Sequence, residues 1–154
     1  MRRRDAGRRR ALFTLGGLGA VLAARQAHAA PDAPAEIAQP ARPTPDAFMR
    51  RAFEMRRLAI ERGDQPYGAV IVRAGRIVGE GMSAVITTPD PTAHAEMQAI
   101  RDAARRLRTR DLSGCEMYGT SRACPMCQAG AYWAGLSRLW YGEFIADGGA
   151  PRLP

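Results

Sequence analysis

Between residues 44 and 142 the apolar positions switch repeatedly between helical spacing and short continuous runs. Met49, Ala52, Phe53, Met55, Ala59 and Ile60 form a stripe of helical period. Thr44-Pro45-Asp46 ahead of it offers a capping hydroxyl, a proline in the first turn and an acid beside the positive helix end, and Gly63 stops the run. Ala69-Val70-Ile71-Val72 is apolar throughout, as suits a strand covered on both faces. Strands are predicted over Tyr67 to Arg73 and Arg76 to about Val85, joined by a tight turn at Ala74-Gly75. After a proline-containing loop from Thr87 to Pro91, the recurrence of Met97, Ile100, Ala104 and Leu107 predicts a helix from about Ala93 to Leu107. Glu116 to Thr120 reads as a short strand, Pro125 to about Ala134 as a helix capped by Gly135, and Leu139 to Tyr141 as a fourth strand. The order helix, hairpin, helix, strand, helix, strand predicts an α/β fold with a helix-covered mixed sheet. Residues 143–154, with Gly148-Gly149 and two prolines, predict no element.

The residues before this pattern differ in composition. A run of arginines, a mildly apolar segment from about Ala11 to Ala24, and Ala27-His28-Ala29 are the physical parts of a signal peptide over residues 1–29, cut after Ala29. The apolar segment is shorter than the roughly 18 residues that span a bilayer. Arg9-Arg10 with glycines diluting the run favour a twin-arginine leader, and hence export to the periplasm, with no membrane attachment after its removal. A basic tail for nucleic acid is the competing reading, and it leaves the Ala-x-Ala end without a purpose. Residues 30–43, rich in proline and alanine, predict an extended tether, leaving 44–154 as a C-terminally short domain.

Charge looks different once the leader is set aside. The whole chain of 154 residues carries +8, but seven of its 23 arginines and one of its 15 acids precede Ala30. The remainder is near +2, which gives no electrostatic footprint for nucleic acid. Three cysteines form no closed disulfide framework; Cys124 and Cys127 could pair with each other or hold a metal as thiolates. Cys115 reads as a small buried residue.

The chemistry concentrates between Thr92 and Cys127. Cys124 and Cys127, at i and i+3 of a first helical turn, can grip one ion together, and a strand returning between two helices can bring His94 to the same point. Three protein ligands with an open fourth position are expected of catalytic zinc. Glu96 is not needed as a ligand and stands where a carboxylate can take a proton from activated water and pass it to a leaving group. A redox pair at Cys124-x-x-Cys127 would leave His94 and Glu96 unexplained.

His-Ala-Glu followed by Cys-x-x-Cys resembles the zinc-dependent cytidine deaminase superfamily, whose H-x-E…P-C-x-x-C signature has this form. QPYGAVIV, DPTAHAEMQAIRDA and CPMCQAGAYWAGLSRLWYG extend the likeness toward guanine deaminases and bacterial tRNA adenosine deaminases, over about Thr44 to Gly142. The resemblance implies a three-layer α/β/α fold with a mixed sheet of four to five strands. It also implies Zn2+ on His94, Cys124 and Cys127, Glu96 as general acid/base, and hydrolytic loss of ammonia from a small nucleobase or nucleoside, a guanine-, cytosine- or adenosine-like compound. Ser83, Ala95, Arg122 and Asp147 are the residues it places against substrate. The sequence departs from the pattern where Arg122-Ala123 replaces Glu-Pro, where Ser83 replaces an asparagine, and beyond Pro154. A bare sheet edge, with either dimerisation or reduced stability, is the expectation from the last of these. A zinc-bearing module with altered catalysis and a tRNA-editing enzyme are the alternatives; retention of Glu96 counts against the first and export against the second.

Overall fold

The computed structural model describes residues 35–153, so the expected leader, and residues 30–34 of the tether, lie outside the described residues. The helix α1 (Pro45–Glu61) is capped by Thr44, whose hydroxyl accepts from the Ala47 amide at 3.3 Å, and it ends at Gly63 with φ +77°. Strands β1 (Gly68–Arg73) and β2 (Arg76–Met82) form a hairpin. Ala74 and Gly75 both have positive φ, the backbone a two-residue turn of type I′ requires. Then follow α2 (Ala95–Leu107), β3 (Cys115–Gly119), α3 (Pro125–Trp133), β4 (Arg138–Tyr141) and the two-residue β5 (Ala146–Asp147).

The five strands lie in the order β2-β1-β3-β4-β5, with β3 and β4 parallel and the other pairs antiparallel. Burial divides β1 between two cores. Ala69 and Ile71 pack with Ala95, Ala99, Ala103, Met117 and Ala131 on the α2/α3 side. Val70 and Val72 pack with Phe48, Met49, Ala52 and Tyr118 on the α1 side. Helices on both faces therefore explain the unbroken apolar run, and the α/β/α arrangement is the one expected.

Four details depart from the sequence reading. Ile60 is 53% exposed, since the stripe that faces the sheet runs through Met49, Ala52, Met55 and Ala59. Strand β2 stops at Met82 rather than Val85, and α2 begins at Ala95 rather than Ala93, with turns between them. Residues 35–43 of the expected tether are docked: Ile37 is buried, and the Gln39 amide donates to the Ile77 carbonyl at 2.8 Å and accepts from the Ile77 amide at 2.9 Å. One side chain thus satisfies backbone groups on the outer edge of β2. At the opposite side the two-residue β5, where no element was expected, pairs with Trp140 and Tyr141 and is the last strand of the sheet.

Helix α2 lies close on β2 because β2 carries glycine where they cross. A Cβ added at Gly81 would collide with the backbone of Ala95 and Ala99. Gly81→Ala is expected to cost about 3 kcal/mol, the upper end of overpacking, because backbone rather than a mobile side chain must move. Thermal unfolding of the variant, with a clear fall in Tm, is the check.

Candidate active site

Both helix starts on one side of the sheet meet at the C-terminal end of β3. His94 is the N-cap of α2 and Cys124 the N-cap of α3; their carbonyls accept the first helical bonds from Gln98 and Gln128, both at 2.9 Å. Neither side chain caps its own helix. They turn toward each other, and Cys127 joins them from the first turn of α3. The Nδ1 of His94 lies 3.7 Å from each sulfur, and the two sulfurs are 3.6 Å apart.

These spacings test the fit to zinc. A tetrahedral ion with sulfur at about 2.3 Å and nitrogen at about 2.0–2.1 Å sets its ligand atoms roughly 3.5–3.8 Å apart. The triangle has those edges, so one zinc fits against all three donors with its fourth position open. His94, Cys124 and Cys127 form the candidate metal cluster found among the described residues. Two positive helix ends beside the thiolates add a favourable field.

Glu96, in the first turn of α2, is 7% exposed and passes close to the end of β3, where a Cβ on Gly119 would lie 4.0 Å from its Cγ. Burial raises its carboxyl above the ordinary range, a shift that favours a group able to hold a proton. Burial, followed by the charge of Glu96, also raises the Cys127 thiol. A cavity of about 560 Å³ opens here, lined by Gln65, Tyr67, His94, Glu96, Ser121, Arg122 and Cys124. A larger cavity of about 630 Å³ along α1 and Ile145 has no histidine or cysteine in its lining, so chemistry rather than size selects the site.

The other residues expected to contact substrate fare differently. Arg122 lines the cavity, and Ala95 is fully buried at the first position of α2. Ser83 is not brought to the cavity wall; it is buried, and its hydroxyl donates to Asp64 at 2.7 Å. Asp147 also stays apart from the cavity lining, in β5, where it pairs with Arg138 at 2.5 Å and accepts from the Gly149 amide. Gln65, Tyr67 and Ser121 are cavity residues that the sequence reading missed. The QPYG run was already noticed, and a polar residue and an aromatic immediately before a buried strand are the signal that could have found the first two.

Asp64 explains how this wall is held. Its carboxylate accepts from Ser83 Oγ, the Gln65 amide, the Ile86 amide, the Thr87 amide and Thr87 Oγ1, all between 2.7 and 3.0 Å. The turn before β1 and the loop after β2 are tied through one side chain. Burial would raise this carboxyl, but the hydrogen bonds from Ser83, Thr87 and Gln65 outweigh it and hold the group well below the usual carboxylate range. A depressed pKa contributes stability above the ordinary range and loses it as pH falls toward the folded value. Asp64→Ala should therefore lower Tm at neutral pH and flatten the acid limb of stability against pH; thermal unfolding from neutral to acidic pH measures both.

Geometry alone defines a His/Cys/Cys metal-binding α/β/α protein with a buried carboxylate beside the ligands. The family model for the cytidine and deoxycytidylate deaminase zinc-binding region matches residues 43–143, and the chain belongs to that family. It is 45% identical to the tRNA-specific adenosine deaminase of Aquifex aeolicus over 92 residues, 60% of this chain and 59% of that protein. It is 40% identical to the guanine deaminase of Bacillus subtilis over 103 residues, 66% of each. The crystal structure of the Bacillus subtilis guanine deaminase superposes with a TM-score of 0.62, at 39% identity and 64% coverage of each chain. The chain thus spans roughly six-tenths to two-thirds of the length of these relatives.

Proposed function

We propose that this protein is a zinc-dependent deaminase that hydrolyses the exocyclic amine of a small nucleobase or nucleoside and releases ammonia. The observation that carries this reading is the buried carboxylate of Glu96 in the same cavity as His94 and Cys124, which with Cys127 behind them are spaced for one zinc. Bound zinc supplies the Lewis acidity that makes water nucleophilic near neutral pH. Glu96 takes the proton from the attacking water and delivers it to the amine as the carbon–nitrogen bond breaks, so water and an amino-heterocycle give a carbonyl and ammonia. Tyr67 offers a flat aromatic wall and Gln65 an amide with both donors and an acceptor, suited to a planar base. The family membership and the guanine and tRNA adenosine deaminase relatives support the reaction class, and the near-neutral charge outside the leader supports a small substrate over a nucleic acid.

Incubating the zinc-loaded protein with guanine, cytosine, adenosine and cytidine and measuring ammonia tests the reading. Release from at least one of them is expected, and none from any would refute it. Export to the periplasm belongs to the same proposal and rests on the arginine-rich start and the apolar segment before Ala29. Cell fractionation should find a periplasmic protein whose first residue is Ala30; a cytoplasmic protein retaining residues 1–29 would contradict it.

A further inference from the structure

The turn that leads into β1 is held at successive backbone groups. The Gln65 amide donates to Asp64 Oδ1 at 2.8 Å, the Gln65 carbonyl accepts from the Tyr67 amide at 2.8 Å, and the Tyr67 carbonyl accepts from the Ser83 amide at 3.1 Å. Pro66 between them has a fixed φ and no amide hydrogen to satisfy. The Gly68 amide donates to Thr120 Oγ1, and its carbonyl accepts from the Thr120 amide. Gln65 therefore stands on a backbone with little freedom to move. Its side-chain amide makes no hydrogen bond among the described residues, whereas the amide of Gln39 is engaged at both ends.

Few other groups in the metal cavity are placed to read a base. His94 and Cys124 belong to the metal position and Glu96 to proton transfer. Arg122 is exposed and Tyr67 is 42% exposed, so both stand at the mouth, and Ser121 offers a single hydroxyl. Gln65 is half-buried and presents a donor and an acceptor side by side in one plane. The edge of an amino-heterocycle carries the matching pair, a ring nitrogen beside an amine or a carbonyl. Ser83, which the resemblance places against substrate, is turned elsewhere: its hydroxyl donates to Asp64 Oδ1, the same oxygen that accepts from the Gln65 amide.

We propose that Gln65 is the specificity-determining residue of this site, its side-chain amide pairing with the donor–acceptor edge of the base, and that Asp64 is the residue that positions it. This rests on the deaminase reading and adds which group selects the base. A site built to pair with such an edge leaves its own amide unpaired against the wrong one, and that difference is what discriminates.

The test measures ammonia release from zinc-loaded protein with guanine, adenine, cytosine and their nucleosides, and reads selectivity as the ratio of kcat/KM between the best substrate and the others. A parallel series measures Kd for the same compounds by calorimetry in the zinc-loaded Glu96→Gln variant. Gln65→Met, close in shape and without the amide, is expected to raise KM for the best substrate by about tenfold, leave kcat within about twofold, and narrow the ratio by about tenfold. Gln65→Asn, which keeps an amide, should restore part of the selectivity. Asp64→Ala should narrow the ratio too, but no further in protein already carrying Gln65→Met, while lowering Tm in both backgrounds. A merely structural Asp64 would move Tm without that dependence on Gln65. Asp64→Asn keeps one acceptor oxygen and makes the same comparison in a less disturbed fold.

Deamination with undiminished selectivity in Gln65→Met overturns the role of Gln65 and leaves the deaminase reading standing. Equal narrowing by Asp64→Ala with and without Gln65→Met, or by Asp64→Asn where the alanine variant does not fold, overturns the positioning by Asp64. If no compound releases ammonia, the deaminase reading fails and calorimetry decides Gln65 alone. Weaker and less selective binding when Gln65→Met is added to Glu96→Gln upholds its role, and unchanged or absent binding overturns it.

Discussion

Glu96→Gln should keep its zinc and lose its turnover, with ammonia release falling by about 10²–10⁴-fold, the range contributed by a positioned general acid–base group. The amide has the shape of the carboxylate and cannot shuttle a proton. Glu96 is buried beside the metal cluster and belongs to the lining of the cavity, but none of the three atoms that define the zinc site comes from it. Metal content and Tm are therefore expected to stay near those of the parent, and since burial disfavours the charged carboxylate, the neutral amide avoids the larger cost of a buried charge. Retained activity would move the proton transfer to another group. Loss of zinc along with activity would make Glu96 part of the metal site instead.

Cys127→Ala should abolish both zinc binding and activity. Its sulfur is fully buried and forms two edges of the donor triangle, 3.6 Å from Cys124 and 3.7 Å from His94. The variant retains only one thiolate and one imidazole, and the grip of two sulfurs on one helical turn is gone. Zinc measured after dialysis should fall from about one equivalent to a small residue, and ammonia release to background. Cys115→Ala is the control: that cysteine is equally buried but starts β3, outside the metal cluster, so zinc content should be unchanged.

What the sequence disclosed follows from how local the signals are. The cap at Thr44, the turn at Ala74-Gly75 and the cysteines at the start of α3 are each set within a few residues, and each is found where the pattern placed it. The metal cluster was legible for a related reason: its residue types have few other uses at those spacings, even though 30 residues separate His94 from Cys124. Features built from distant polar groups were not legible. Gln39 satisfies Ile77 across 38 residues, and nothing in an alanine- and proline-rich stretch distinguishes a docked glutamine from a solvated one. Asp64 follows a helix-ending glycine and reads as a loop acid, yet four of its five bonds come from residues 83–87. Ser83 was named for substrate from the resemblance, and its bond to Asp64, 19 residues away, had no local signal. Two-residue β5 is too short to carry a period, and Asp147 within it has its charge met by Arg138.

The most direct measurement is metal-dependent ammonia release by the same sample through one cycle of chelation and repletion. Removing zinc is expected to end release from whichever amino-heterocycle is turned over, about one equivalent of zinc to restore it, and Cys127→Ala not to recover. Release that persists without zinc, or a parent protein that takes up one equivalent and releases no ammonia from any base, nucleoside or nucleotide, would refute zinc-dependent deamination.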